Sequence, residues 1–345
     1  MRTDTKVERD RSILADGTVQ QGVTWNPTTG CEQLSPGCKN CYAKFKVWPR
    51  LQSNPAAKAF YGREFEEVRW HPDKFTEPLQ WLRPRLVVVN NLSDLFHPAI
   101  PFTIIATIVG IMAAASHHIF QVLTKRPERA KEFFEWLENH PDRQKFDCKD
   151  FHVKFQGEAW QPYLLADIAS QYIGESQVSP GAVNILGQWP LPNLWIGVSV
   201  ENQEYADTRI PALFELPNAL PWVCAEPLLG RIDHIPEGSQ GQKLGWILCK
   251  GETGPHARPT HPAWIGVLRD QAQASGTPFC FQQWGEWCPA SDMPKLLDDR
   301  NIKIQDVEDP IEGVCTMLKV GKRQAGALLN DQSMEQYPDQ IKALE

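Results

Sequence analysis

The run Arg85-Leu86-Val87-Val88-Val89-Asn90 passes straight into Asn91-Leu92-Ser93-Asp94. Four apolar residues without alternation predict a strand buried on both faces, and such strands belong to parallel sheets covered by helices. A helix is predicted next, across Phe102 to Ser116. The pattern then recurs. Ile119-Phe120-Gln121-Val122-Leu123 ends in Thr124-Lys125-Arg126, and Pro127 suits a first helical position. The helix it opens runs to Asn139 and places Ala130, Phe133, Phe134 and Leu137 on one face. Leu194 to Val200 ends at Glu201 and precedes a helix over Tyr205 to Phe214. Trp222-Val223-Cys224-Ala225 ends in Glu226-Pro227. Gly245-Trp246-Ile247-Leu248-Cys249 ends in Lys250-Gly251-Glu252, with a helix from about Pro262 to Ser275 behind it. Pro278-Phe279-Cys280-Phe281-Gln282 is a last strand.

Strands alternating with helices imply a parallel sheet with right-handed crossovers. Six or seven strands, counting Gly22-Val23-Thr24-Trp25, predict an α/β fold that is a partial or full (βα) barrel. The expected divisions are a polar, frayed N-terminal segment at 1–21, the barrel at 22–287 and a C-terminal extension at 288–345. An insertion is expected at about 140–190, with one helical piece from Tyr163 to Tyr172. Residues 49–80 read as loop and short helix, Tyr42 to Trp48 as a helix start, and the chain beyond Trp287 as a polar tail with one or two short elements.

Between the first two strands lies Gly30-Cys31-Glu32-Gln33-Leu34-Ser35-Pro36-Gly37-Cys38-Lys39-Asn40-Cys41-Tyr42. Six residues separate Cys31 from Cys38 and two separate Cys38 from Cys41. Gly30, Pro36 and Gly37 keep this backbone in turns, so the sulfurs can converge. A structural zinc takes four protein ligands, and no fourth stands nearby. A disulfide would leave an odd cysteine. A 4Fe–4S cluster on three cysteines leaves one iron open to chelate a small molecule, as radical chemistry with S-adenosylmethionine requires. Spacing alone leaves cluster, zinc and unrelated thiols all open.

The 345 residues suit one barrel-sized domain, and 42% hydrophobic composition supports a large core. A net charge of −7 excludes a wholesale basic nucleic-acid coat, though not a local basic patch. The 13 Trp read as core and helix–sheet packing. Nine scattered cysteines are not a disulfide framework. Met1 to Gly17 lacks an apolar signal core. The longest apolar run, Ile104 to Ala115, is interrupted by Thr107 and too short to span a bilayer. A cytoplasmic protein with no membrane segment is therefore expected, its thiols reduced and able to ligate metal.

Barrels gather reactive groups where strands end. Ser93, Asp94, Thr124, Lys125, Ser199, Glu201, Glu226 and Glu252 all fall just after a strand, and the cysteine loop opens onto the same rim. That convergence favours a three-ligand cluster on Cys31, Cys38 and Cys41 over a structural zinc. Asp94, Glu201, Glu226 and Glu252 could meet the amine and ribose hydroxyls of S-adenosylmethionine, and Lys125 or Arg126 its carboxylate. Each has a plainer role: Asp94 and Glu201 as helix caps, Lys125 and Arg126 as a solvated pair, Ser199 as a packing residue. His117 and His118 read as structural, Cys224 and Cys249 as buried, and Cys148, Cys280, Cys288 and Cys315 as ordinary thiols. His97 and His256 receive no role.

Trp25-Asn26-Pro27-Thr28-Thr29-Gly30-Cys31 through Cys38-Lys39-Asn40-Cys41-Tyr42-Ala43 resembles the opening of a phage- and prophage-associated family of unknown function, itself similar to a branch of the radical S-adenosylmethionine superfamily. The resemblance continues in order through Ser93-Asp94-Leu95-Phe96-His97, Leu123-Thr124-Lys125-Arg126-Pro127, Gly197-Val198-Ser199-Val200-Glu201-Asn202, Glu226-Pro227-Leu228-Leu229-Gly230, Gly251-Glu252-Thr253-Gly254 with Arg258, and Gln283-Trp284-Gly285. It implies a partial (βα) barrel, a 4Fe–4S cluster on the three cysteines, a 5′-deoxyadenosyl radical, and a one-electron donor of the reduced flavodoxin or ferredoxin type. Phage association extends this to isomerisation or carbon–carbon bond formation on a modified nucleobase, in phage DNA or a nucleotide precursor. Lys250, Cys224 and Gln282 stand where that family usually has Gly, Ser and Lys. The rival expectation is a zinc-stabilised nucleic-acid-binding module, or a phage interaction protein, without catalysis.

Overall fold

A computed structural model describes residues 11–13, 19–149, 158–174, 187–297 and 299–339. Seven parallel strands form one sheet: β1 (Val23–Trp25), β2 (Leu86–Val89), β3 (Ile119–Thr124), β4 (Leu194–Ser199), β5 (Trp222–Ala225), β6 (Trp246–Lys250) and β7 (Phe279–Gln283). Their spatial order is their chain order, and every neighbouring pair is parallel. The sheet curls into a half-barrel, which settles the partial form of the predicted barrel.

Helices cover its outer face: α1 (Phe102–Ala114), α2 (Pro127–Glu138), α3 (Gln161–Ile173), α4 (Gln203–Phe214) and α5 (Pro262–Ser275). Their starts are encoded locally. Pro127 opens α2, Asn202 Oδ1 accepts from Tyr205 N to cap α4, and His261 Nδ1 accepts from Ala263 N ahead of Pro262 in α5. α1 is buried nearly all round because the sheet lies on one side and α3 on the other. A Cβ on Gly110 would overlap the Leu165 carbonyl, so glycine permits that helix contact.

The period-2 pleat gives the strands two apolar faces. Val87, Val89, Phe120, Val122, Ile196, Val198, Val223, Ile247 and Phe281 join the helices in the main core. Leu86, Ile119, Trp195, Trp222, Cys224, Trp246, Leu248 and Cys280 fill the concave side. Three of the 13 tryptophans therefore plug the half-barrel rather than pack helix on sheet. Gly197 makes room for them, since a Cβ there would overlap the Trp222 indole.

Two expectations need revision. The chain after Trp287 is no loose tail: β8 (Trp287–Pro289), β9 (Lys303–Asp309) and β10 (Gly313–Lys319) form an antiparallel sheet whose Val307, Met317 and Leu318 join the main core. Charged residues on the exposed face of β9 hide its alternation. The segment around Met334 to Gln336 then pairs with β7, covering the open sheet edge. In the N-terminal segment, Arg11–Ile13 pairs antiparallel with Val19–Gln21 rather than fraying; the rest of 1–18 lies outside the described residues. Of the 140–190 insertion, α3 packs against α1 as part of the helical cover, while 150–157 and 175–186 lie outside the description. Within Tyr42 to Trp48, Ala43–Val47 forms a π-helical turn leading into the short helix Trp48–Gln52. No helix among the described residues is long and apolar enough to cross a membrane.

Candidate functional site

A cleft of about 1090 Å³, counted to its open mouth, lies over the carboxyl ends of the strands. The loop after β1 forms one wall with Cys31, Cys38 and Cys41. The ends of β2 to β6 form the other with Ser93, Asp94, Thr124, Lys125, Arg126, Ser199, Glu226 and Glu252. Of the predicted site residues, only Glu201 is absent from the lining; it lies fully buried beneath.

The cysteine loop is fastened to the barrel at three places. At its start, Gly30 N donates to Leu92 O at 3.0 Å and Cys31 N to Phe65 O at 3.1 Å. Gly30 has φ +93° and stands against the Glu67 carbonyl, so no side chain fits there. Asn90 turns the chain out of β2 at φ +57°, a conformation asparagine tolerates, while its Oδ1 accepts from Thr28 N at 3.2 Å.

The second fastening is Glu201. Its Oε1 accepts from Ser35 Oγ at 2.7 Å and pairs with Lys125 Nζ, which also reaches Ser35 Oγ at 3.2 Å. Its Oε2 accepts from Arg209 Nη1 at 3.1 Å. The helix cap expected of Glu201 falls instead to Asn202. Gly37 is required by this contact, because a Cβ would stand 2.5 Å from Glu201 Oε1.

The third is Glu252. It accepts from Asn40 Nδ2 at 3.0 Å and from Arg258 N and Nε at 2.7 and 2.8 Å, and Arg258 Nη2 donates onward to Pro36 O at 3.0 Å. The carboxylates after β4 and β6 thus hold the two flanks of Cys38. Asp94 is committed in the same way. It accepts from Phe96 N, Thr124 Oγ1, Lys125 N and Arg126 Nη1 at 2.7–3.1 Å, which orients the cations over the cleft.

Glu226 differs. It lines the cleft with its side chain 28% exposed, ion-paired to Lys250, and Cys224 Sγ stands 3.6 Å from its Oε2. Lys250 and Cys224 therefore meet on one carboxylate. Ser93 holds Thr28 Oγ1 at 3.0 Å, and Ser199 presents itself to the cleft at the end of β4. Arg258, Arg209, Ser35 and Asn40 complete the site without having been assigned roles from sequence. Arg258 and Asn40 gave a signal, the first quoted with the Gly251-Glu252-Thr253-Gly254 motif and the second within Cys38-Lys39-Asn40-Cys41. His117 and His118 are structural, bonding to Trp81 O and Pro78 O.

The three thiols differ electrically. Burial, reinforced by the Asp94 charge, pushes Cys31 up to about 12, against the pull of Arg126 Nη1 at 3.7 Å. Burial also raises Cys41. Burial acts on Cys38 too, but the Lys125 ammonium and hydrogen bonds from the Leu34 and Ser35 backbone and the Ser35 hydroxyl outweigh it, so its value falls. Among the described residues no three His, Cys, Asp or Glu side chains are gathered as a single-ion site. A mononuclear zinc needs its sulfurs about 3.8 Å apart, from Zn–S bonds of about 2.3 Å.

In kind, the side chains here are those that a thiolate-held iron–sulfur cluster would use. The donors are all sulfur, two cations stand ready to balance thiolate charge, and buried Arg126 Nη2 makes no hydrogen bond, with Glu32 Oε1 at 3.6 Å.

Fold and site together define an all-parallel α/β half-barrel carrying a three-thiol loop over the carboxyl ends of its strands. The chain belongs to DUF5131, a protein family of unknown function whose model matches residues 19–338. No curated protein and no solved structure matches it.

Proposed function

We propose that this protein is a radical S-adenosylmethionine enzyme with a 4Fe–4S cluster on Cys31, Cys38 and Cys41. The observation that carries this reading is the meeting, in one cleft, of three thiols from a single loop with the polar ends of five strands. When bound, the cluster supplies one electron to cleave the sulfonium of S-adenosylmethionine, giving a radical able to abstract hydrogen from an unactivated carbon.

The chain's own residues do the rest. Arg126 and Lys125 stabilise the Cys31 and Cys38 thiolates that loading requires. Arg126 Nη2 is the donor for the methionine carboxylate. Glu226, Ser93 and Ser199 line the cleft where the amine and ribose hydroxyls need partners. Asp94, Glu201 and Glu252, whose oxygens are engaged within the protein, position the loop and the cations rather than touch the cofactor. The tryptophan-filled concave face seals the floor against water. The substrate in this reading, a nucleobase or a substituent on it, comes from the expected phage association.

The test is anaerobic reconstitution with iron and sulfide. The wild type should bind about four of each per chain, and Cys31→Ala, Cys38→Ala and Cys41→Ala should each abolish the reduced-cluster paramagnetic signal. Stoichiometric zinc and no cluster in the wild type would overturn the proposal.

A further inference from the structure

The run Ser93-Asp94-Leu95-Phe96-His97 brings more to the site than Asp94. A tight turn follows β2, in which His97 N donates to Asp94 O at 3.1 Å and Ile100 N to His97 O at 2.9 Å. It buries both side chains, leaving Asp94 and His97 each 6% exposed. Asp94 Oδ2 engages Nη1 of Arg126 at 3.1 Å and leaves its Nη2 over. His97 is held by the opposite edge of its ring. Its Nδ1 accepts from Ala99 N at 3.1 Å, so the neutral ring carries its proton on Nε2.

His97 Nε2 and Arg126 Nη2 are both buried donors without a hydrogen bond. Such donors are rare in a folded protein, and two that meet at one point call for a functional reason. They do meet: Glu32 Oε1 stands 3.6 Å from His97 Nε2 and 3.6 Å from Arg126 Nη2. That is too long for a hydrogen bond, so Glu32 faces the donors without satisfying them. Its side chain is 59% exposed and belongs to the cleft lining, so it can turn out into solvent. Asp94 and Arg126 cancel in charge, and His97 in this tautomer adds none. The pair of donors therefore suits a monoanion with two oxygens, and the group that already faces them is a carboxylate.

We propose that His97 Nε2 and Arg126 Nη2 form a two-donor seat for a ligand carboxylate, and that Glu32 is a displaceable stand-in for that ligand. The seat and its ligand class follow from the geometry; that the ligand is S-adenosylmethionine rests on the radical-enzyme reading. His97 is then a binding residue, and the Glu32 carboxylate competes with the ligand's for the same two donors. When Glu32 turns out, both donors gain a charged acceptor and the entering carboxylate meets no like charge.

The test is anaerobic titration calorimetry on reconstituted, unreduced protein, with S-adenosylmethionine and with its decarboxylated analogue, which keeps the amine. The variants are Glu32→Ala and His97→Asn. Asparagine still offers an oxygen to Ala99 N, as in an Asx turn, but withdraws the distal N–H. S-adenosylmethionine should bind His97→Asn about tenfold more weakly than the wild type and Glu32→Ala about threefold more tightly. The decarboxylated analogue should bind the wild type and His97→Asn alike. Unchanged S-adenosylmethionine binding by His97→Asn, or equal weakening of both ligands, would overturn the proposal. So would weaker S-adenosylmethionine binding by Glu32→Ala, which would make Glu32 a ligand contact. If the wild type binds no S-adenosylmethionine, the failure belongs to the radical-enzyme reading, and acetate judges the seat. Acetate should raise the melting temperature of Glu32→Ala and not that of Glu32→Ala/His97→Asn; a rise in neither, or in both alike, would overturn it.

Discussion

Glu201 concentrates the logic of the site in one side chain. It is fully buried, faces Lys125 and Arg209, and takes the Ser35 hydroxyl of the cysteine loop. Removing one partner from a buried charge cluster leaves the others uncompensated, at a cost of about 3–5 kcal/mol. Glu201→Ala should therefore lower unfolding stability by about that amount, read from urea denaturation, and should also lower iron retention because Ser35 loses its anchor. A Gly37→Ala variant should show a milder form, about 1–3 kcal/mol, since its methyl must displace the Glu201 carboxylate. That strand-end residues would matter was legible, because each follows an apolar run. Which way they face was not. Ser35 and Glu201 are 166 positions apart and Asn40 and Glu252 are 212 apart, and no local pattern encodes such pairings. The cofactor contacts expected of Asp94, Glu201 and Glu252 rested on placement at the rim. In the structure their oxygens bond protein groups that only the fold brings near.

At the scale of elements, β9 shows how a strand can escape notice. Lys303-Ile304-Gln305-Asp306-Val307-Glu308-Asp309 carries one apolar residue at each of two positions, and its decisive residue is an acid. Asp309 is buried and accepts from Arg231 Nη1, Trp264 Nε1, Ile311 N and Glu312 N at 2.7–3.2 Å. It ties the C-terminal sheet to α5 and to the loop after β5. Burial opposes its charge, but the amides and Arg231 win and bring it down to about 2. Because this is a depression, the stabilisation is complete above the unfolded carboxylate's value of about 3.9. It is lost as pH falls from there through about 2. Asp309→Asn should flatten the pH dependence of stability in that window, and acid titration of the melting temperature will show it. β4 to β6 give the converse case, where hydrophobic runs made the strands plain but not the face each Trp takes. Trp195→Ala, which empties part of the concave plug, should cost about 3–5 kcal/mol.

For the whole molecule, a parallel (βα) barrel, partial or full, was legible from the alternation of buried strands with helices, but that it stops at a half-barrel was not. The closure of its edge was not, since the covering residues near Met334 come 51 or more positions after β7 and bond through backbone. The fold also carries an acid sensitivity that no single element owns. Burial holds both His71 and His118 down to about 4, so each stays neutral when folded. An unfolded imidazole takes a proton below about 6.5, so stability should decline as pH falls from there towards 4, before Asp309 contributes. Denaturation at pH 7.5 and pH 5 compares the two states, and a His71→Gln/His118→Gln variant should show a smaller difference. The cleft itself depends on all these parts standing together, and its chemistry is the central claim. The direct measurement is to reduce the anaerobically reconstituted protein with dithionite, add S-adenosylmethionine and look for 5′-deoxyadenosine, with a Cys31→Ala/Cys38→Ala/Cys41→Ala variant alongside. Formation of 5′-deoxyadenosine by the wild type alone is the predicted result; a cluster-loaded wild type that forms none, or equal product from the triple variant, would contradict it.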